Sequence, residues 1–400
     1  MTLKLIMFNH NEEEAGTYLR CLNFAKNLVV NYGYSVVLVT VSKRNSVGIT
    51  MKKIEDNLYI LFLPSVMIGK IDFLRISRYV YNVLISHNFE PDIIHSFAVA
   101  HLSTSIPIII HQLFGNDVKK VVDWDDLWGR NGIIWSRLPI PYSFFLSSLM
   151  TSLEENVVKL ADHVTTISSY LYERASQIVS QNKVTLIPSG SDTSNLFPVN
   201  RDLARELLKI PKKLFVLSFE GGSLVSEKHI IFLIETLRFI NKNALSNVKL
   251  FLIGVRINTN FYKIMRSNYS EIINNVTIIP RKLPLSTLNV YLNASDVLLL
   301  PVLPYSWDIA RWPGRFGDYL AVGKPIATTS FGDPAVIVKS NKLGRVSMSD
   351  PKSFAEAIEA LMSLNREDKE EIGKRARKLA EKKFSWRILS GALNDIYLKL

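Results

Sequence analysis

Short apolar runs alternate with amphipathic stretches along nearly the whole chain, and this limits the possible folds more than any other feature. "LKLIMF" reads as a strand. "TYLRCLNFAKNLVVNYG" carries apolar residues at 19, 22, 25, 28 and 29, a helical period, and stops at Gly33. "YSVVLVTV", "LYILFLP", "PDIIHSF", "VVDWDDLW" and "HVTTIS" supply further strands, and "FLRISRYVYNVLISHN" is helical. This βαβα order implies a parallel sheet with helices on both faces. The order breaks at Ile187–Asn200, "IPSGSDTSNLFPVN", and then restarts. "KLFVLSFEG", "NVKLFLIG", "NVTIIP", "DVLLLP" and "KPIATTS" read as strands, with helices between them. Asp350 and Pro351 cap and open a further helix.

At 400 residues the chain has room for two or three domains. The expected division is a first domain over 1–193, a second over 194–383, and a final helix over 384–400 packing back on the first. Two doubly wound α/β halves bind ligands at the carboxyl ends of their strands and face a cleft.

Several classes recede. The one cysteine, Cys21, allows no intrachain disulfide and suits a helix core in a reducing, cytoplasmic setting. The first residues read as a strand, not a signal peptide, and no apolar run is long enough to span a bilayer. "LPIPYSFFLSSLM", Leu138–Met150, reads either as a buried helix or as an interfacial patch. The net charge of +12 lies in the second half: residues 1–200 hold 17 Lys/Arg against 17 Asp/Glu, residues 201–400 hold 31 against 19. An anionic partner is implied. Nucleic acid is not expected, because no recognition module or aromatic-studded basic face is present. The histidines His95, His101 and His111 lack metal-ligand spacing and read as structural; no metal is expected.

Three segments carry candidate chemistry. In "RWPGRFGDYLAVGKP", Arg311–Pro325, a loop and helix start follow the strand "DVLLLP". Free N–H groups there, with Arg311 and Arg315, suit phosphate. Asp318 could accept from ribose hydroxyls, or merely pair with Arg315 on the surface. Gly323 ends the helix, so "GKP" is punctuation rather than a phosphate loop. In "FEGGSLVSEKH", Phe219–His229, Gly221 and Gly222 follow a strand and Lys228 opens a helix; an ordinary turn is the plain alternative. In "NEEEAGTYL", Gly16 closes a loop and Thr17 can cap the next helix.

Together these segments resemble the retaining GT-B glycosyltransferases of family 4. "EEAGTYLRCLNFAKNL", "ADHVTTISSYL", "VTLIPSGSD", "SFEGGSLVSEKHIIFLIETL", "LSTLNVYLNASDVLLLPV" and above all "GDYLAVGKPIATTSFGD" carry the likeness, which covers nearly the whole chain. The resemblance implies a nucleotide-sugar site in the second domain. By it, Asp318 stands at the ribose-contacting glutamate and Lys228 at the diphosphate lysine. Gly221, Gly222 and Ser223 form the adjacent loop, and Arg315 stands near a lysine position. Asp308, Arg311 and Phe316 complete the donor set. Gly16 approaches the donor from the first domain, and Ser189 and Gly190 match the turn before the second domain.

The chain departs from the family pattern at three points. Ser223 replaces a family arginine, Ala310 falls where the family's first glutamate stands, and "DWDD" (Asp123–Asp126) has Asp125 where some members have histidine. The expected activity is hexosyl transfer with retention, from a nucleotide-diphosphate sugar to a hydroxyl of a glycan or lipid-linked glycan. Lys228, Arg315 and Asp126 are the expected catalytic residues, with Arg311 also placed at the diphosphate. The alternatives are a degenerate binding protein and another GT-B enzyme such as a sugar-nucleotide epimerase. The patch at 138–150, with Lys43–Arg44 and Lys52–Lys53, would suit peripheral contact with an anionic membrane on its cytoplasmic face.

Overall fold

The computed structural model describes residues 2–43, 46–68, 71–115, 117–222 and 225–400. The chain divides into two compact units. The first comprises Met1–Ser189, Tyr305–Trp312 and Trp386–Leu400; the second comprises Gly190–Pro304 and Pro313–Ser385. The divide thus falls at Ser189/Gly190 rather than after 193. The second unit is also discontinuous, because the short segment Tyr305–Trp312 clusters with the first.

The first unit is built on an eight-stranded sheet. Its strands are β1 (Lys4–Glu12), β2 (Ser35–Val41), β3 (Thr50–Glu55) and β4 (Leu58–Leu63), followed, after a two-strand ribbon of β5 (Met67–Ile68) and β6 (Ile71–Asp72), by β7 (Ile93–Phe97), β8 (Lys119–Trp124), β9 (His163–Thr166) and β10 (Val184–Leu186). The order is β10-β9-β8-β7-β1-β2-β4-β3. All pairs are parallel except β3 with β4. The central strands are buried runs of Val, Ile, Leu and Phe, as strands covered on both faces must be. Helix Gly16–Tyr32 ends at Gly33, whose φ of 72° suits glycine. Cys21, Phe24 and Leu28 of this helix join Leu389, Leu393 and Ile396 of the final helix in one core. His95 lies in that core with Nδ1 2.6 Å from Tyr397 Oη, and burial pushes its pKa down to about 3.

The second unit carries β11 (Phe215–Glu220), β12 (Val248–Ile253), β13 (Val276–Ile279), β14 (Val297–Leu300), β15 (Ile326–Thr329) and β16 (Gly344–Ser347). All pairs are parallel, in the order β13-β12-β11-β14-β15-β16. Counted from β11 this is 3-2-1-4-5-6, the order of dinucleotide-binding sheets, so the direction of winding reverses between β11 and β14. Helix Gly314–Val322 ends at Gly323 with φ 64°, and helix Pro351–Met362 is capped by Asp350, which accepts from Ser353 N–H at 2.8 Å.

Candidate active site

The winding reversal fixes where a ligand of the second unit should sit: beyond the carboxyl ends of β11 and β14. Glu220 is the last residue of β11. Its N–H donates to Tyr319 Oη at 2.9 Å, and that hydroxyl donates to Leu299 O of β14 at 3.2 Å. Tyr319 therefore ties the two strands together at their ends. Tyr319 lies on helix Gly314–Val322, and its neighbour Asp318 hydrogen-bonds the Glu220 carboxyl. Burial pushes Glu220 up to about 7, against the pull of Arg315 and Lys282. Asp318 is raised well above the usual carboxylate range by burial and then by Glu220. Both carboxyls are thus held more basic than free carboxylates, beside two cations. The Arg315 guanidinium lies 4.6 Å from the Phe219 ring centroid and is buried. Asp318 and Arg315 are thus members of a buried cluster rather than a surface pair.

Two glycines follow Glu220 for different reasons. A Cβ at Gly221 would stand 2.8 Å from Gly254 O, so backbone packing demands glycine. A Cβ at Gly222 would meet only Arg315 Nη2, at 3.5 Å, so this position lies open beside the cation. Helix Glu227–Phe239 starts with Ser226 and His229 capping each other, and Lys228 is exposed on its first turn.

The first unit gathers its own acids after β8. Asp123 is fully paired: Arg20 Nη2 at 2.7 Å, Arg20 Nε at 3.1 Å and Thr165 Oγ1 at 2.6 Å. Asp125 accepts from Thr17 Oγ1 at 2.6 Å, and burial raises it to about 6. Asp126 is raised well above its usual range by burial and then by Asp125, against the pull of Arg311 and Arg137. Arg311 pairs with Asp308 and stacks 5.5 Å from the Trp307 ring centroid. Ser168 Oγ donates to Ala310 O, fastening Tyr305–Trp312 to the first unit. Among the described residues no group of three or more His, Cys, Asp or Glu side chains is placed to hold a metal ion.

Residues 200–379 match the family described as Glycosyl transferases group 1. The second unit carries a group 1 glycosyltransferase domain. The chain is 26% identical over 263 residues to a capsular polysaccharide biosynthesis glycosyltransferase, CapM, of Staphylococcus aureus; the match covers 64% of this chain and 66%, just under two thirds, of the relative. Among solved structures it is similar to sucrose-phosphate synthase from Thermosynechococcus elongatus (TM-score 0.80, 16% identity, 99% of this chain and 98% of that one). It is also similar to WaaG, a glycosyltransferase involved in lipopolysaccharide biosynthesis (0.71, 14%, 98% and 99%). A third is the E. coli trehalose-6-phosphate structure bound with UDP-2-fluoro glucose (0.73, 9%, 99% and 99%). The fold is GT-B.

Within the glycosyltransferase domain, Gly221, Gly222, Arg315 and Asp318 come together at the ends of β11 and β14. Ser223 lies outside the described residues. Phe316 is not at the surface of the site: it is fully buried, because residues 316, 319 and 320 form the inward face of their helix. Asp308 and Arg311 lie on the segment Tyr305–Trp312, which clusters with the first unit, where the Arg311 charge acts on Asp126. Gly16 opens its helix in open space, where a Cβ would meet nothing within 4 Å. Thr17, expected as a cap, bonds Asp125 instead, while Ala15 occupies the cap position. Sequence reasoning missed Glu220 and Lys282. Glu220 was visible as an acid directly before the paired glycines. Lys282, just past β13, carried no motif.

Proposed function

We propose that this chain transfers a sugar from a nucleotide-diphosphate sugar to an acceptor hydroxyl, with retention of anomeric configuration. The observation that carries the reading is the Glu220–Asp318–Arg315–Lys282 cluster at the winding reversal of a group 1 glycosyltransferase domain. Asp318 accepts from the ribose hydroxyls. Arg315 and Lys228 hold the diphosphate, with Lys282 near by, and the glycines at 221 and 222 bring backbone close to it. As the C1–O bond to phosphate breaks, the cations stabilise the departing diphosphate. The acceptor oxygen bonds C1 on the face the phosphate leaves, and its proton passes to a phosphate oxygen. Asp126, in the first unit, orients acceptor or sugar hydroxyls, and Arg311 holds its charge in check. No metal is assigned a role. The acceptor is a glycan or lipid-linked glycan.

The test is incubation with UDP-, GDP-, ADP- and dTDP-sugars and a panel of glycan acceptors, with NMR assignment of the product anomer. Transfer with retention that is lost in Asp318→Ala and Lys228→Ala supports the reading; an inverted anomer overturns the stereochemistry. One observation favours a second reading, a degenerate binding protein: Ala310 is fully buried where the family's sugar-contacting acid is expected. Nucleotide binding without any transfer or hydrolysis would select it.

A further inference from the structure

Helix Tyr142–Leu160 is turned the wrong way out over its first half. Ser143 and Ser147 are buried at 1% and 0% exposure, while Phe144 and Phe145 stand 56% and 69% exposed. Tyr142 and Leu149 on the same turns, and Trp135, Leu138 and Ile140 just before them, are also exposed large hydrophobics. A helix against water buries its apolar stripe and exposes its serines. This one does the reverse, and a contiguous apolar surface of this kind marks an interaction site.

The charges around the patch say what covers it. From residue 127 to 153 the sequence has no Asp or Glu, and its only charged side chains are Arg130 and Arg137. The Arg130 guanidinium sits 5.5 Å from the Phe144 ring centroid, and its Nε donates to Ser148 Oγ at 3.1 Å, so a cation stands directly beside the exposed aromatics. Trp135 and Tyr142 supply the amphipathic rings that favour a membrane–water boundary. The neighbouring layer repeats the pattern. Helix Leu102–Leu113 packs on helix Tyr142–Leu160 and on helix Arg75–Phe89. Phe73 just before the latter and Ile76, Val80 and Leu84 along it form an exposed stripe at helical spacing, with Arg75 exposed among them and no acid between 73 and 89, while Arg78 is buried against Asp72.

We propose that this face of the first unit docks on an anionic lipid membrane, with Phe144 and Phe145 inserted into the interface and Arg130 and Arg137 at the headgroups. No helix among the described residues is long and apolar enough to cross a bilayer, so the contact lies in the interface plane. The docking deepens the proposed reaction by placing a lipid-linked acceptor beside the first unit, but its test needs neither donor nor acceptor.

The experiment is co-sedimentation of the full chain with phosphatidylcholine vesicles, with and without phosphatidylglycerol. The chain is expected to sediment with the phosphatidylglycerol vesicles and to be released by salt. Phe144→Ser with Phe145→Ser should weaken partitioning by roughly tenfold or more, and Arg130→Glu with Arg137→Glu should abolish the phosphatidylglycerol preference. All four positions are exposed, so thermal melts should match the wild type. Failure to bind either vesicle, or equal binding by the double phenylalanine variant, overturns the proposal. So does a dimer in sedimentation velocity that the same variant breaks, since a second copy would then cover the face. Loss of transfer activity with vesicle binding intact would overturn the catalytic reading alone.

Discussion

Glu154 offers a pH-dependent test of the acid loop. It is fully buried, and its Oε1 accepts from Trp128 N–H at 2.8 Å, two residues past Asp126. Burial raises its pKa from 4.5 to about 7, although the N–H groups of Trp128, Gly129 and the Trp124 indole favour the ionised form. Between those two values the native chain keeps a proton that the unfolded chain has lost. Stability therefore falls as pH rises, by about 1.4 kcal/mol per unit. The favourable contribution is complete below about 4.5 and gone above about 7, a total of roughly 3 kcal/mol. Glu154→Gln abolishes this titration. It also surrenders one acceptor oxygen, which costs about 1–2 kcal/mol. The variant should be less stable than wild type by about 1–2 kcal/mol near pH 4.5 and more stable by a similar amount near pH 8. Urea unfolding followed by tryptophan fluorescence reads the right unit, because all six tryptophans lie in the first unit. A difference that keeps one sign and one size from pH 4.5 to 8 would refute a buried, proton-holding Glu154.

Other expectations follow from the same packing. Arg20→Met strands Asp123 in the core and should destabilise the first unit by about 3–5 kcal/mol in the same fluorescence assay, with Asp123→Leu added to it recovering much of the loss. Gly317→Ala would place a Cβ 2.8 Å from Gly190 O and 3.1 Å from Ser191 Oγ, and should cost about 1–3 kcal/mol in denaturant unfolding followed by circular dichroism, despite the better helix former. Because Glu220 loses its proton as pH rises through about 7, wild-type affinity for UDP-glucose or GDP-mannose, whichever binds, should fall above that pH. Glu220→Gln should flatten the calorimetric profile, and an unchanged slope would count against a raised Glu220 carboxyl.

The architecture was legible because its signals are local. Strand runs and helical periods repeat in order, and Gly33, Gly323 and Asp350 mark ends that the backbone respects. That Arg315 and Asp318 stand together was legible, because one helix carries both. Glu220 was harder to see: an acid before two glycines reads as a turn, and only the winding reversal places it against Asp318. Asp308 and Arg311 were hard to assign to a unit for another reason. They lie a few residues from Arg315 in sequence, but contiguity does not say which unit a loop folds onto, and here Ser168 fastens that loop to the first. The burial of Phe316 was legible too, since 316, 319 and 320 share one helical face.

Helix Tyr142–Leu160 shows where periodicity stops. Its sequence separates Ser143 and Ser147 from Phe144, Phe145 and Leu149, so two faces are written plainly. Which face turns inward is not written by period at all; it is inferred by assuming that water lies outside. Here the small serines pack inward, Gly129 sits so close that a Cβ would stand 2.8 Å from Glu154 Oε2, and the loop after Asp126 is pressed onto the helix. Phenylalanines on that face would not fit the same spacing. The inward face was chosen by close packing, and the aromatics were left for whatever solvent the other face meets. A reversed helix is therefore evidence about surroundings, because the sequence obeys the hydrophobic rule only if the medium outside is apolar.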